Sequence, residues 1–180
     1  MTSILAISGS LRAQSSNTTL LRWAARLAPA DVKVRLYDGL GTLPHFNPDL
    51  DVPPWPDAVV TFRGHVAAAD ALLICSPEYA RGVAGSMKNS LDWLVSVEDF
   101  AGKPVALFNA SPRASHALAA LRLTLETMAA RVIDEAALTV PLLSAPMGED
   151  EIVAHPELST AIRVRLEALS RSCVKTSSFP

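Results

Sequence analysis

Three apolar runs, Ile4-Leu5-Ala6-Ile7, Ala71-Leu72-Leu73-Ile74-Cys75 and Val105-Ala106-Leu107-Phe108, are too short for helices, and each gives way to a polar loop and then a helical pattern. The second and third barely alternate, the mark of strands buried on both faces of a sheet. Val32-Lys33-Val34-Arg35-Leu36-Tyr37 alternates apolar and basic residues instead, so it reads as a half-exposed outer strand. Strand-like residues return between Val132 and Val140. Between the strands lie helical stretches from about Thr18 to Leu27, Asp57 to Ala69 and Gly85 to Val95, one carrying Leu118, Leu121, Leu125 and Met128, and a last one from near Pro156.

Strands alternating with helices predict a mostly parallel sheet covered on both sides by right-handed crossovers. The expected fold class is α/β, a flavodoxin-like doubly wound five-stranded parallel sheet in the order 2-1-3-4-5 with helices on both faces. Ligands in such sheets sit beyond the carboxyl ends of the strands where the order reverses, between the first and third. That topology brings GSLRAQSSN, Gly9 to Asn17, and SPEYARGVAG, Ser76 to Gly85, to one crevice.

The chain of 180 residues fits one domain, 1–180, with a C-terminal helix and tail from about 142. With 49% hydrophobic and 19% charged residues it has the composition of a compact globular protein. A net charge of -2 points to a small-molecule partner, not to nucleic acid or an anionic membrane. Cys75 and Cys173 form no disulfide framework, which suits a reducing cytoplasm. The N-terminal apolar stretch is too short for a signal segment, and no run approaches the roughly 18 residues of a membrane span. His45, His65, His116 and His155 lack ligand spacing, so no metal site is expected. Gly39 to Pro56 holds two glycines and five prolines, which forbids regular helix and suggests an ordered surface loop near a site or a partner.

The turn at Gly9 to Asn17 has the form of an anion seat. The first N–H groups of a helix lack partners within it and carry its positive dipole end. Ser10, Ser15 and Ser16, the Asn17 amide and the Arg12 guanidinium surround them here. A plain capping turn, with Ser16 or Asn17 as the cap, is the simpler alternative. There is no GxxxxGK[ST] and no GxGxxG, and no cysteine stands where phosphate cleavage would need one. In the second loop Pro77, Gly82 and Gly85 shape a tight turn whose N–H groups face a planar ligand, and Tyr79 supplies an aromatic wall. Glu78 as a charge at a helix N-terminus and Tyr79 as a packing residue are the structural alternatives.

GSLRAQSSN and SPEYARGVAGSMKNSLDWL resemble the GSLRxxSxN and PEYNxxxPGxLKNxxDW motifs of the NADPH-dependent FMN reductase family, which includes quinone, azo-dye and chromate reductases. LPHFNPDLD, Leu43 to Asp51, is similar to that family's connection after its second strand, so the resemblance runs from about Ile4 to Val140. It implies FMN phosphate contacts from Ser10, Arg12, Ser15 and Asn17, with Ser16 joining through its hydroxyl. It implies flavin-ring contacts from Pro77, Glu78 and Tyr79, with Ala80 beside them. Lys88, Asn89, Asp92 and Trp93 would serve packing and subunit contacts, Lys88 and Asp92 as an i,i+4 ion pair. The resemblance also implies a homodimer or homotetramer, with Trp93 and the proline-rich loop at the interface.

The chain departs from the family pattern at Ala80, where Asn is usual, at Ala84, where Pro is usual, and after the fourth strand. There Asn109-Ala110-Ser111-Pro112-Arg113-Ala114-Ser115-His116 replaces a glycine-rich turn. Residues with a Cβ avoid the positive φ of such turns, so this loop takes another course. Three outcomes stay open: a narrower pocket, weaker FMN binding, or Ser111 and Arg113, or His116, beside the flavin or a nicotinamide phosphate. Solvated loop side chains are the plain alternative. The expected function is an oxidoreductase passing hydride from NADPH or NADH through FMN to a small electron acceptor such as a quinone, azo compound, chromate or free flavin. Since the flavin carries the chemistry, no catalytic side chain is expected. An FMN electron carrier and an FMN-binding relative without turnover are the alternatives, and a GxSxG hydrolase elbow is absent.

Overall fold

The computed structural model describes residues 1–142 and 155–173, so 143–154 and 174–180 of the expected tail lie outside the described residues. In chain order the elements are β1 Thr2–Ser8, α1 Ser16–Arg26, β2 Val32–Tyr37, α2 Asp57–Ala68, β3 Ala71–Cys75, β4 Glu78–Tyr79, β5 Gly82–Val83 and α3 Gly85–Asp92. They continue with β6 Pro104–Asn109, α4 Ser115–Thr127, β7 Arg131–Val132, β8 Leu138–Thr139 and α5 Pro156–Ser172. The main sheet runs β2-β1-β3-β6-β7, with β8 also on β6, and every pairing is parallel. This is the flavodoxin-like order, with β6 fourth and the fifth place shared by two short strands.

Register explains the doubly wound packing. Within β1, Ile4 and Ala6 face one side with Leu73, Cys75, Ala106 and Phe108, where Leu20, Leu21 and Trp23 of α1 and Ile162, Leu166 and Leu169 of α5 cover them. Leu5 and Ile7 face the other with Leu72, Ile74, Val105 and Leu107, under Val59, Phe62 and Val66 of α2, Met87 and Leu91 of α3, and Leu121 and Leu125 of α4. Each fully buried Val, Leu, Ile, Phe or Met among them contributes about 1.5–3 kcal/mol, so both faces of the central strands must be apolar. β2 is an edge strand, and its Lys33 and Arg35 are exposed as the alternation predicts.

Three boundaries differ from the sequence reading. The strand expected from Val132 to Val140 is broken into β7 and β8, because a single helical turn, Asp134–Ala136, tucks Ala136 fully into the core facing α5. Helix α3 ends at Asp92 rather than Val95. A hairpin, β4 with β5, occupies the loop after β3.

The proline-rich connection is ordered, as expected, by partners on α2 and after α3. Arg63 donates from Nε to the Trp93 carbonyl (2.8 Å) and from Nη2 to Asp51 Oδ1 (2.7 Å) and Ser96 Oγ (2.9 Å). Its guanidinium also lies 5.5 Å from the Trp55 ring centre. Trp93 Nε1 and Asn89 Nδ2 both donate to the Pro44 carbonyl, and Phe46 meets Trp93 edge-on. Trp93 is therefore fully buried within its own chain, which corrects its expected place at a subunit contact. Lys88 and Asp92 form the i,i+4 pair.

Burial alone raises the Asp51 carboxyl, but hydrogen bonds from Ser96 and Arg63, the Arg63 charge and the Trp55 side chain outweigh it and hold it below its ordinary value. A carboxyl depressed on folding lends stability that is complete above the unfolded value, about pH 4, and is lost as pH falls through the folded one. Asp51→Asn is expected to cost about 1–3 kcal/mol at pH 7 and to flatten the acid limb of the stability curve. Thermal melts of both proteins from neutral to acid pH check this, and melting curves that stay parallel throughout would contradict it.

Candidate functional site

The site begins where β1 and β3 end side by side. Gly9 N–H donates to the Cys75 carbonyl (2.9 Å), and Ser86 Oγ donates to the Gly9 carbonyl (2.7 Å). A Cβ on Gly9 would stand 2.4 Å from Ser76 Oγ, so only glycine lets the two turns close on each other. The loops separated by more than sixty residues of sequence meet here.

Ser15, in extended backbone at φ -130°, caps α1 by accepting from Thr18 N–H (3.3 Å), which settles the cap against Ser16 or Asn17. No acidic residue stands in the first turn of α1, so its positive end is not neutralised there. Below the loop, Ser8 Oγ and Thr18 Oγ1 share a hydrogen bond (2.8 Å), Ser10 N–H donates to Ser8 Oγ (3.3 Å) and Arg12 N–H donates to Ser10 Oγ (3.4 Å). These short links hold the turn open over the helix end.

An open cleft of about 780 Å³ lies on this edge of the sheet, within the usual range of about 300–1,000 Å³ for small-molecule sites. The first loop contributes Ser10, Arg12, Ser15, Ser16 and Asn17 to its lining, and the loop after β3 contributes Pro77, Glu78 and Tyr79. The loop after β6 contributes Ser111 and Arg113. Among the candidates only Ala80 is outside the lining, exposed at the tip of the hairpin. His116 is exposed and outside it too, and no residue from 39 to 56 reaches it.

The hairpin turn is not made by its glycines. Ala80 (φ 49°) and Arg81 (φ 61°) both occupy left-handed backbone, as a two-residue turn of the tight hairpin type requires, whereas Gly82 and Gly85 do not. Glu78 serves a helix, though not the one that follows it. Its Oε2 accepts from Ala117 N–H (2.8 Å) in the first turn of α4, whose own capping residue, Ala114, offers no side chain for the task.

The glycine-free loop after β6 contains no positive φ between 109 and 116. The Asn109 side chain accepts from Ser111 N–H (3.0 Å), and Ala114 N–H donates to the Ser111 carbonyl (3.0 Å), so an Asx turn followed by a tight turn replaces the glycines. Arg113 is exposed on the cleft wall.

Sequence reading missed Thr19 and Arg22, which line the cleft from α1, and Ser76, Asn109 and Leu142. Ser15, Thr19 and Arg22 stand at i, i+4 and i+7, a helical spacing that marks one face and offered the signal. Three guanidiniums, those of Arg12, Arg22 and Arg113, thus border a cleft in which Glu78 is the one carboxylate among the described lining residues. That balance favours an anionic ligand.

The family profile described as NADPH-dependent FMN reductase matches residues 2–142. An NAD(P)H-dependent FMN reductase of Pseudomonas aeruginosa is 42% identical over 110 residues, 60% of this chain and 59% of that protein. A quinone reductase of Pseudomonas putida is 33% identical over 115 residues, 62% of this chain and 61% of its own. The chain thus spans about three-fifths of the length of these relatives. Among solved structures, the flavoenzyme NAD(P)H:(acceptor) oxidoreductase FerB of Paracoccus denitrificans has the same fold, with a TM-score of 0.74 at 24% identity over 96% of this chain and 99% of that one.

Because Ala80 carries a Cβ into left-handed backbone, Ala80→Gly is expected to stabilise the fold by about 0.5–1 kcal/mol after the entropic cost of glycine is set against the relieved strain. Thermal or urea unfolding measures this directly. A variant no more stable than the parent would show that the hairpin stores no strain at this position.

Proposed function

The chain belongs to the NADPH-dependent FMN reductase family, and from that premise we propose that it passes hydride from NAD(P)H through FMN to a small acceptor such as a quinone, an azo compound, chromate or free flavin. One observation carries the reading: the Gly9–Ser76 approach joins an uncapped-by-acid helix end and an aromatic-bearing hairpin into a single cleft. A nucleotide with an anionic tail and a planar head matches those two ends.

The residues present fit such a group. The N–H groups at the start of α1, the hydroxyls of Ser10, Ser15 and Ser16, the Asn17 amide and Arg12 are all donors, the set an FMN phosphate calls for. Pro77, Tyr79 and the backbone of Glu78 offer a flat, partly apolar wall for the ring. When bound, FMN supplies the hydride acceptance and return that side chains lack. The chain's own part is to bind and orient. The Glu78 carboxylate is engaged at α4, and the described lining residues include no histidine or cysteine, so among them no side chain is assigned to proton transfer.

Arg113 lines the cleft from the loop after β6, with no hydrogen bond or ion pair to any described residue. It is assigned to a phosphate of the nicotinamide nucleotide, which leaves Arg12 for the flavin. We assign Ser111 to the same wall. Leu50, Val52, Trp55, Val60 and Val95 expose apolar surface on the proline-rich loop, α2 and the turn after α3. That surface supports assembly as a homodimer or homotetramer, with the proline-rich loop rather than Trp93 at the contact. Two free thiols, and no helix among the described residues long and apolar enough to cross a membrane, are compatible with the cytoplasm as its place. Residues 1–180 are read as a single domain.

Purified protein titrated with FMN is expected to turn yellow, to bleach with NADPH in the absence of oxygen and to regain its colour with menadione. Arg12→Ala should weaken FMN binding about tenfold or more. Arg113→Ala should raise KM for NADPH while leaving FMN affinity unchanged. Absence of FMN binding, or binding without reduction by either NADPH or NADH, would refute the function; unchanged nucleotide kinetics would remove Arg113 alone.

A further inference from the structure

Cys75 ends β3, the strand between β1 and β6, opposite Ser8 on one side and Phe108 on the other. It is fully buried beneath the point where the three cleft-forming loops leave the sheet. Its Sγ–H donates to Asn17 Oδ1 at 3.2 Å, and the Ala110 backbone N–H interacts with the sulfur. Asn17 and Ala110 both line the cleft, one from α1 and the other from the loop after β6.

A carboxamide has an oxygen that only accepts and a nitrogen that only donates, so fixing one fixes the other. With Oδ1 turned down to the thiol, Asn17 Nδ2 is directed away from it, and no described residue accepts from that nitrogen. An anion at the α1 end then meets the donor and not the repelling carbonyl oxygen. Burial pushes the Cys75 thiol up to about 12, so it keeps its proton, and hence its donor role, across the neutral range.

We propose that Cys75 is a positioning residue: by locking the Asn17 carboxamide with its NH2 toward the cleft, it sets the preference for a phosphorylated flavin over an unphosphorylated one. This rests on the reading of the α1 end as the phosphate seat. Without the thiol the amide is free to turn over, and the anion faces an acceptor for part of the time. Affinity for the phosphate falls while affinity for the ring does not.

The test is the ratio of riboflavin to FMN dissociation constants, from flavin fluorescence titrations of the full chain. Wild-type protein should bind FMN more tightly than riboflavin. Cys75→Val should shrink that ratio by roughly fivefold through weaker FMN binding, with riboflavin unchanged. Cys75→Ser, which restores a donor, should recover most of it. Should the valine variant fail to fold, Cys75→Ala takes its place in the same comparison. In an Asn17→Ala background the Cys75 substitution should change the ratio no further. A wild-type protein that discriminates, with a ratio unmoved in Cys75→Val, or FMN and riboflavin weakened alike, overturns the role of Cys75 and leaves the phosphate seat standing. A wild-type protein that binds both flavins equally overturns the seat, and the inference with it.

Discussion

The site depends on one missing methyl group. At Gly9 the chain passes so near Ser76 that a Cβ would overlap the serine side chain, and the Gly9 N–H and carbonyl are both held, by Cys75 and Ser86. That approach fixes where α1 begins relative to the hairpin. Parallel strands put their loops at one edge, but the topology sets neither their separation nor their angle. The glycine does both, and Ser86 adds α3 to the same junction.

How much of this was legible follows from how local each cause is. β1, β3 and β6 are visible in sequence because burial on both faces demands uninterrupted apolar residues, and β2 is visible because one edge meets water. The Ser15 cap is off by a residue or two in the sequence reading because adjacent serines and Asn17 are chemically equivalent until backbone φ selects one. β7 and β8 hold two residues each, too few to carry a period. The hairpin at Ala80 and Arg81 was hidden because neither residue favours left-handed backbone, so the local signal points elsewhere. The Glu78 link to Ala117 spans thirty-nine positions and leaves no mark in either segment alone.

Charge in the cleft shows the same division. Arg12 is conspicuous inside its loop, whereas Arg22 is masked by lying within an ordinary helix, and only its phase relative to Ser15 and Thr19 places it on the cleft side. Guanidiniums on α1, in the loop before it and in the loop after β6 border a cavity in which the one carboxylate among the described lining residues is already hydrogen-bonded. A positive field assembled from separate elements acts on an anion as it approaches, before any single contact forms.

The absence of glycine after β6 bears on the mechanics of the site. A glycine-rich turn could adapt to a ligand by itself; the Asx turn at Asn109 is instead fixed by its own side chain. Downstream, α4 begins without a capping side chain of its own and takes that bond from Glu78 in the hairpin. The hairpin and the start of α4 are thus tied to each other through one carboxylate. A displacement of the hairpin must either carry the start of α4 with it or leave Ala117 N–H without its partner, at a cost of about 1–3 kcal/mol. Rigidity that an alanine at position 84, unlike a proline, does not lend the backbone is supplied here by the hydrogen bond from Ala117 N–H to Glu78.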